Sequence, residues 1–217
     1  MSNRDNKMNV IYRLARAVVG FLFRLLSRLE VTGVENVPRA GSFIMAMNHL
    51  HWLDPPLAMV VVPRQMAVFA GEKWERRWPA NWLLKHVGNA IFVRRGEVDR
   101  RALRAALSLL QEGKVLGLAP EGTRSRTGGL QKGKDGCAYL ALRTGVPIVP
   151  LAAWGQERLF RELRRGRRPI IRVVIGAPFT LSDGPQETRS AELSAATEKI
   201  MRTLAAMLPE EYRGVYR

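Results

Sequence analysis

The chain has 217 residues, of which 47% are hydrophobic and 25% charged. This composition excludes a disordered chain, and the length predicts one globular domain with a substantial core. The formal net charge of +16 indicates a negatively charged partner, which leaves nucleic acid, an anionic membrane, or an acidic protein or substrate open.

The first predicted element is a basic amphipathic helix over residues 9–30. At about 100° per residue, its polar side chains occupy roughly a third of the circumference and apolar side chains the rest. Its longest uncharged run, between Arg16 and Arg24, is too short to cross a bilayer, which takes roughly 20 residues. The helix therefore either lies in a membrane interface, with arginines among anionic headgroups, or packs on the core with its arginines facing water. We favour the membrane interface.

From residue 31 onward, short apolar runs alternate with helical segments. Continuous apolar runs separated by helices are typical of strands that are covered on both faces. The sequence therefore predicts an α/β fold, a single domain with a mainly parallel or mixed sheet covered by helices. The predicted strands are 43–47, 66–70, 90–93, 115–119, 148–153 and 170–175. The predicted helices are 56–61, 81–87, 99–112, 135–144 and 190–208.

A histidine and an aspartate, His49 and Asp54, follow the predicted strand 43–47. Histidine suits general base catalysis because its ordinary pKa of about 6.5 lies near the operating pH. A carboxylate on the other ring nitrogen would fix the tautomer and stabilise the imidazolium. On a regular helix, positions five apart diverge by roughly 140°, so the two side chains meet only across a strand-to-helix turn, which Pro55 fits. We predict His49 as the base and Asp54 as its orienting partner.

A second group of polar residues, Glu121-Gly122-Thr123-Arg124, follows the predicted strand 115–119. Such a turn can offer backbone N–H groups, a hydroxyl and a guanidinium to a phosphate, and its glycine permits close backbone approach. The alternative is a glycine turn with solvated charges. A base that removes a hydroxyl proton, combined with a phosphate site, indicates transfer chemistry on a phosphorylated alcohol. In that reaction the acceptor hydroxyl itself attacks, and no serine or cysteine nucleophile is needed.

Four blocks of the sequence resemble, in their order, the glycerolipid acyltransferase family, and most closely the bacterial 1-acylglycerol-3-phosphate (lysophosphatidic acid) acyltransferases. Each block alone is a weak signal, whereas four in sequence are specific. They are His49-x4-Asp54, residues 88–96, residues 120–124 and residues 146–150.

The resemblance implies a role for each residue of the site. Gly122, Thr123 and Arg124 would help to bind the glycerol phosphate, and Glu121 would shape this substrate site. Arg95, at the end of the predicted strand 90–93, would be the second phosphate ligand. The resemblance also implies that the histidine loop and the glycine turn are neighbours, which nothing in the sequence itself proves.

The neighbouring Arg94 competes with Arg95 for the phosphate. Alternation along a strand lets only one of the two side chains face the site, and we favour Arg95. The fourth block, residues 146–150, carries no reactive group and is either a wall near the acyl chain or a core strand.

The resemblance implies transfer of a fatty acyl group from acyl-CoA or an acidic acyl carrier protein to the 2-hydroxyl of 1-acylglycerol 3-phosphate, giving phosphatidic acid. Residues 1–30 would then form a membrane-interface helix and residues 31–217 the acyltransferase catalytic domain. We expect a peripheral or monotopic protein on the anionic cytoplasmic face of the cell membrane. Another lysophospholipid or a lyso-aminolipid is the alternative acceptor, and a non-enzymatic membrane-binding protein is a further alternative.

Two other classes of function are weighed against this interpretation. His49-x-His51 followed by Asp54 superficially suggests a metal site, but the spacing departs from the metallo-hydrolase pattern, so we expect no metal and no cofactor. The role of His51 stays open. The cations are not interleaved with stacking aromatic residues and no nucleic-acid-binding motif is present, so we expect no nucleic-acid partner.

Overall fold

The structure, a computed structural model, describes residues 8–94, 99–181 and 190–217. Its centre is a seven-stranded sheet in the order β1-β7-β6-β2-β5-β3-β4. Neighbouring strands are parallel except for β6 and β7, which are antiparallel. The strands are β1 Arg28–Thr32, β2 Phe43–Met47, β3 Met66–Gly71, β4 Ile91–Val93, β5 Val115–Leu118, β6 Ile148–Trp154 and β7 Ile170–Ile175.

Helices cover both faces of the sheet, which confirms the predicted α/β fold with a mixed sheet. They are α1 Val10–Leu26, α2 Asp54–Val61, α3 Ala80–His86, α4 Arg100–Gln111, α5 Gly136–Thr144, α6 Leu159–Leu163 and α7 Ser190–Met207. Phe43, Met45 and Met47 of β2 pack toward α1, α2 and α6. Ile44 and Ala46 point to the opposite face, where α4, α5 and α7 lie. Side chains of one strand thus alternate between two buried faces, which explains why β2 is apolar throughout.

The first helix is shorter than the sequence predicted. It ends at Leu26, where the backbone of Ser27 turns extended (φ −145°, ψ 168°) while its hydroxyl and N–H both donate to the carbonyl of Phe23. Residues 28–30, predicted as helical, instead belong to β1, which pairs in parallel with β7. The alternating pattern of β1 suits a sheet edge with one covered face. Helix α6 was also not predicted.

The topology places three loops at the same edge of the sheet. Strand β2 lies between β5 and β6 and is parallel to both. The segments that follow these three strands therefore leave the sheet at one carboxyl edge, where α/β sheets commonly bind ligands.

Candidate active site

The histidine loop, residues 48–53, connects β2 to α2. It is anchored by Asn48, which is fully buried at the end of β2. The Asn48 side chain accepts the backbone N–H of Ala153 and donates to the carbonyl of the same residue, each at 2.8 Å. This pair of bonds fixes the start of the loop to β6, so His49 leaves the sheet from a defined position.

The side chains of His49 and Asp54 meet as the sequence predicted. His49 Nδ1 lies 2.7 Å from Asp54 Oδ2, and Asp54 is the first residue of α2. The same carboxylate oxygen accepts the backbone N–H of His51 at 2.8 Å, and Oδ1 accepts Nε2 of Gln156 at 2.8 Å. The N–H of His51 and the amide of Gln156 are both donors, as suits an ionised carboxylate, which only accepts; we therefore infer that Nδ1 of His49 carries the proton and Nε2 keeps its lone pair.

His49 and Asp54 differ in their exposure to solvent, as a general base and its orienting partner should. Asp54 is completely buried, whereas 16% of the His49 side chain is exposed. Part of the His49 side chain is therefore open to solvent, while the carboxylate that contacts its ring is shielded from water.

The glycine turn, residues 120–125, lies directly beside the histidine loop. Ser125 donates its backbone N–H to the carbonyl of His49 at 2.7 Å. Glu121 accepts the backbone N–H of His49 at 2.9 Å. The two motifs are separated by about 70 residues in the chain, and the parallel pairing of β2 with β5 brings them together.

Glu121 is buried behind the histidine loop and supports it. Its side chain is buried, and its second oxygen accepts the backbone N–H of Gln131 at 2.9 Å. Burial raises the pKa of the Glu121 carboxyl above its usual range, although the N–H groups of Gln131 and His49 oppose the shift. Its contribution to the predicted substrate site is therefore indirect, through the backbone of His49.

The remaining residues of the turn lie near the surface. Gly122 has a φ of +68°, a backbone conformation that favours glycine, and the flexible side chain of Lys134 packs beside it. Thr123 is half-buried and Arg124 is exposed. The guanidinium of Arg124 lies close enough to lower the pKa of His51. Thr123 and Arg124 thus present a hydroxyl and a positive charge beside the histidine loop.

Arg95, the other predicted phosphate ligand, lies outside the described residues. Its neighbour Arg94 is exposed and forms an ion pair with Glu72, with Nε 3.4 Å from Oε2. The backbone N–H of Arg94 donates to Asp99 at 3.0 Å. The choice of Arg95 as the phosphate ligand stays a prediction.

His51 takes part in the site mainly through its backbone. Its imidazole accepts the N–H of Leu53 at 3.4 Å and contacts the rings of Trp52 and Phe160. Burial is the largest influence on this ring and lowers its pKa, which favours the neutral imidazole. Trp52 and Phe160 stack at 5.8 Å and are both partly exposed, so an aromatic surface borders the loop.

Asn48 and Gln156 are site residues to which the sequence analysis gave no role. Gln156 is fully buried and begins a short 3₁₀ turn, Gln156–Arg158, that follows β6. The available signal was topological, because polar residues directly after buried parallel strands gather at the ligand-binding edge of a sheet. Within the described ranges, no group of three or more His, Cys, Asp or Glu side chains is placed to hold a metal ion.

Comparison with known proteins decides the family. The model of the family described as Acyltransferase matches residues 28–154, which is more than half of the chain. The chain belongs to the acyltransferase family. The matched residues include the histidine loop, the glycine turn and β6, so the family match and the site coincide.

Individual members of the family are similar over different lengths. The 1-acyl-sn-glycerol-3-phosphate acyltransferase of Bacillus subtilis is 26% identical over 192 residues, covering 88% of this chain and 93% of that protein. The enzyme of the same name from Borreliella burgdorferi is 30% identical over 61% of this chain, and the match covers 54% of that protein. The chain therefore spans only about half the length of this second relative.

A relative with another acceptor and a solved structure complete the comparison. The lyso-ornithine lipid O-acyltransferase of Pseudomonas aeruginosa is 33% identical over 61% of this chain and 51% of that protein. The crystal structure of the 1-acyl-sn-glycerophosphate (LPA) acyltransferase from Thermotoga maritima superimposes with a TM-score of 0.70 at 28% identity. That superposition covers 91% of this chain and 79% of the Thermotoga protein.

Proposed function

We propose that the protein transfers a fatty acyl group from a thioester donor to the 2-hydroxyl of 1-acylglycerol 3-phosphate, which yields phosphatidic acid. The observation that carries the proposal is the 2.7 Å contact between His49 and buried Asp54, directly beside the turn that holds Thr123 and Arg124. A base and a cationic turn at one edge of the sheet match an acceptor that has both a hydroxyl and a phosphate.

The reaction follows from the protonation state of His49. The acceptor oxygen attacks the thioester carbonyl while Nε2 of His49 takes the hydroxyl proton. Asp54 stabilises the imidazolium that forms. When the tetrahedral intermediate collapses, the carbon–sulfur bond breaks and the proton passes from Nε2 to the leaving sulfur. The base is then regenerated, and no cofactor takes part in this scheme.

The phosphate of the acceptor is bound by the glycine turn. Gly122 and Ser125 already donate their backbone N–H groups within the protein, so the Thr123 hydroxyl and the Arg124 guanidinium are the groups we assign to the phosphate. Arg95 is proposed as the second cationic ligand on the resemblance of residues 88–96. Guanidinium groups suit this role because they bind phosphate oxygens in pairs.

Either acyl-CoA or an acidic acyl carrier protein suits the charge of the surface beside the site. Exposed arginines lie on and after α6, immediately beyond the turn that contains Gln156; they are Arg161, Arg164, Arg165, Arg167 and Arg168. The phosphates of CoA and the carboxylates of a carrier protein would both be attracted there.

The direct test is transfer of labelled palmitate from palmitoyl-CoA to 1-acylglycerol 3-phosphate in anionic vesicles. We expect labelled phosphatidic acid, and much slower transfer to 1-acylglycerol, which lacks the phosphate. Palmitoyl acyl carrier protein in a parallel reaction identifies the preferred donor. The Pseudomonas relative makes a lyso-ornithine lipid the second acceptor to test. Product from that lipid alone would overturn the assignment of the acceptor.

We also propose that helix α1 holds the protein on the anionic cytoplasmic face of the membrane. Tyr12 and Phe23 are buried against the protein, and α1 packs on α2. A different apolar stripe faces outward over roughly 120° of the circumference. Its exposed members are Val10, Ile11, Leu14, Val18, Phe21, Leu22 and Leu25. Packing on the core explains the buried side of α1, which carries Tyr12 and Phe23, but not the exposed apolar stripe. The exposed stripe therefore supports insertion into a membrane interface.

Arg13 and Arg24 flank one edge of this exposed stripe, whereas Arg16 lies on the opposite side of α1 and donates to the carbonyl of Val60 at 3.0 and 3.2 Å. Arg13, Arg16 and Arg24 line a groove that also contains Gly20 and Val60. Basic residues near an anionic leaflet are each worth about 1 kcal/mol of binding. Within residues 8–94, 99–181 and 190–217, no helix has the length and hydropathy needed to cross a bilayer.

The Phe21→Asp variant is expected to bind anionic vesicles roughly tenfold or more weakly than the wild type. The Phe21 side chain is 63% exposed and belongs to the outer stripe, so the change removes apolar insertion and adds a negative charge. Val215→Asp is the matched control, since Val215 is 69% exposed near the C-terminus and undergoes the same change of charge. Co-sedimentation measures both variants, and equal losses would contradict a specific role for α1.

A further inference from the structure

We infer that Gln156 is a positioning residue for the catalytic pair, because it fixes the carboxylate of Asp54 and thereby the ring of His49. This inference rests on the proposed function. Gln156 does not touch a reacting group; it acts through the hydrogen bond that its Nε2 donates to Asp54 Oδ1 at 2.8 Å.

The hydrogen bonds of Asp54 show why this contact matters. Oδ2 is the oxygen that receives Nδ1 of His49, and it also accepts the N–H of His51. Both of those bonds go to Oδ2. They do not by themselves prevent the carboxylate from rotating about the Cβ–Cγ bond, so a bond to Oδ1 is needed to restrain it. Gln156 holds the other oxygen. The carboxylate is therefore fixed at both ends, and the ring of His49 takes its orientation from a fixed acceptor.

The position of Gln156 is itself determined by the backbone. Gly155 has a φ of +95°, and a Cβ atom there would lie 2.3 Å from the carbonyl oxygen of Ile170. Only glycine fits the turn that follows β6, and this turn directs the Gln156 side chain toward Asp54. Asn48 anchors the start of the loop to Ala153 of β6, and Gln156 in the turn after β6 holds Asp54 at the end of the loop, so β6 and the turn that follows it support both ends.

The amide contributes through its NH₂ group. Both Gln156 and Asp54 are completely buried, and the Gln156 Nε2 group also lies 3.4 Å from the carbonyl oxygen of Ala153. Gln156 Oε1 accepts no hydrogen bond from the described residues. An amide that is flipped would place Oε1 against an oxygen of Asp54, so the carboxylate selects the orientation in which Nε2 donates.

Two substitutions separate hydrogen bonding from packing. Gln156→Leu keeps most of the volume and removes the donor. Gln156→Glu keeps the shape, and its protonated carboxyl can donate to Asp54 Oδ1, whereas its ionised form repels Asp54. Burial and the neighbouring carboxylate both raise the pKa of such a glutamate, so it changes from donor to repelling charge as the pH rises.

Transfer of palmitate to 1-acylglycerol 3-phosphate is measured for each variant and the wild type between pH 5.5 and about 9, a range that brackets an ordinary histidine titration. We expect kcat of Gln156→Leu to fall about 10- to 100-fold with KM for both substrates nearly unchanged. The ratio of Gln156→Glu to wild-type activity should decline with rising pH, whereas the ratio for Gln156→Leu should stay constant.

Thr197→Val is the matched control. The Thr197 hydroxyl is buried and donates to Asp135 at 2.7 Å, so this variant also removes a hydrogen bond to a carboxylate, one that involves neither His49 nor Asp54. We expect it to lose stability and keep its kcat. A similar loss of kcat in this control would show that any buried hydrogen bond has the same effect, and would overturn the inference.

A spectroscopic readout separates this inference from the proposed function. In ¹⁵N spectra of histidine-labelled protein, the wild type should show His49 protonated at Nδ1, and Gln156→Leu should show a mixture of the two tautomers. The His49 signals are assigned from their loss in His49→Ala. Absence of transfer in the wild type would refute the function alone. Unchanged tautomers in Gln156→Leu, or a pH-independent ratio for Gln156→Glu, would refute the role of Gln156.

Discussion

The His49→Ala variant is expected to transfer palmitate about ten-thousand-fold more slowly than the wild type, at the upper end of what a general base contributes. Nε2 of His49 is the ring nitrogen left to accept a proton, because Nδ1 is held by Asp54, and the His49 side chain is partly exposed. Without the ring, the hydroxyl proton has to pass to water. The loss should appear in kcat, since alanine leaves in place the glycine turn that we propose as the phosphate site.

The fold should survive this substitution. Without the imidazole, the Asp54 carboxylate still accepts the N–H of His51 and the amide N–H of Gln156, so it does not become an unpaired buried charge. We expect a loss of stability of about 1 kcal/mol, the usual contribution of one hydrogen bond. Thermal unfolding followed by circular dichroism measures this directly.

His86→Ala is the control for the loss of a histidine as such. Its ring is exposed, lies 2.9 Å from the carbonyl of Trp82 and stacks on the Trp82 ring in α3. We expect full activity from this variant. Near-normal turnover in His49→Ala would remove His49 as the base and require another group to accept the proton.

Local patterns were sufficient for much of the fold. The strand 43–47 was predicted with the bounds that the structure shows, because it is buried on both faces and therefore apolar at every position. Strand β1 was missed for the opposite reason. It is a short edge strand with alternating polarity, and it follows an amphipathic helix closely enough that its residues extend the helical pattern.

In the site, too, contacts between residues close in sequence could be predicted and long-range contacts could not. The contact between His49 and Asp54 spans five residues, so their spacing and the intervening turn suggested it. The bond from His49 to Glu121 spans 72 residues, and that from Gln156 to Asp54 spans 102. These contacts depend on which strands are neighbours and on their register, and neither is encoded in a local pattern. The sequence therefore predicted the contact between the proposed base and its partner, but it gave no role to Asn48 and Gln156, which hold the loop and the carboxylate in place.

The Asp54→Asn variant is expected to lose roughly a thousandfold to ten-thousandfold in kcat, as an aspartate-to-asparagine change does in a Ser-His-Asp triad. Asparagine has one acceptor and one donor group where aspartate has two acceptors. If its NH₂ takes the place of Oδ2, it donates to Nδ1 of His49, and the proton of the ring moves to Nε2. The base then has no free lone pair.

The other orientation of the asparagine also fails to catalyse. If its oxygen takes the place of Oδ2, its NH₂ faces the NH₂ of Gln156, and the Gln156 amide has to flip so that Oε1 accepts. The ring then keeps its tautomer, but the negative charge that stabilises the imidazolium is gone. Either orientation therefore lowers kcat, and the ¹⁵N tautomer pattern of His49 distinguishes them.

Asp135→Asn provides the control for this prediction. Asp135 precedes α5 and accepts the Thr197 hydroxyl, so it resembles Asp54 in its position beside a helix start without contacting His49. We expect Asp135→Asn to keep its kcat. If Asp54→Asn also kept its kcat with an unchanged tautomer, the carboxylate would serve only to pack the loop, and the positioning role of Gln156 would lose its physical basis as well. The Asp54 variant thus tests the point on which both the base assignment and the role of Gln156 depend.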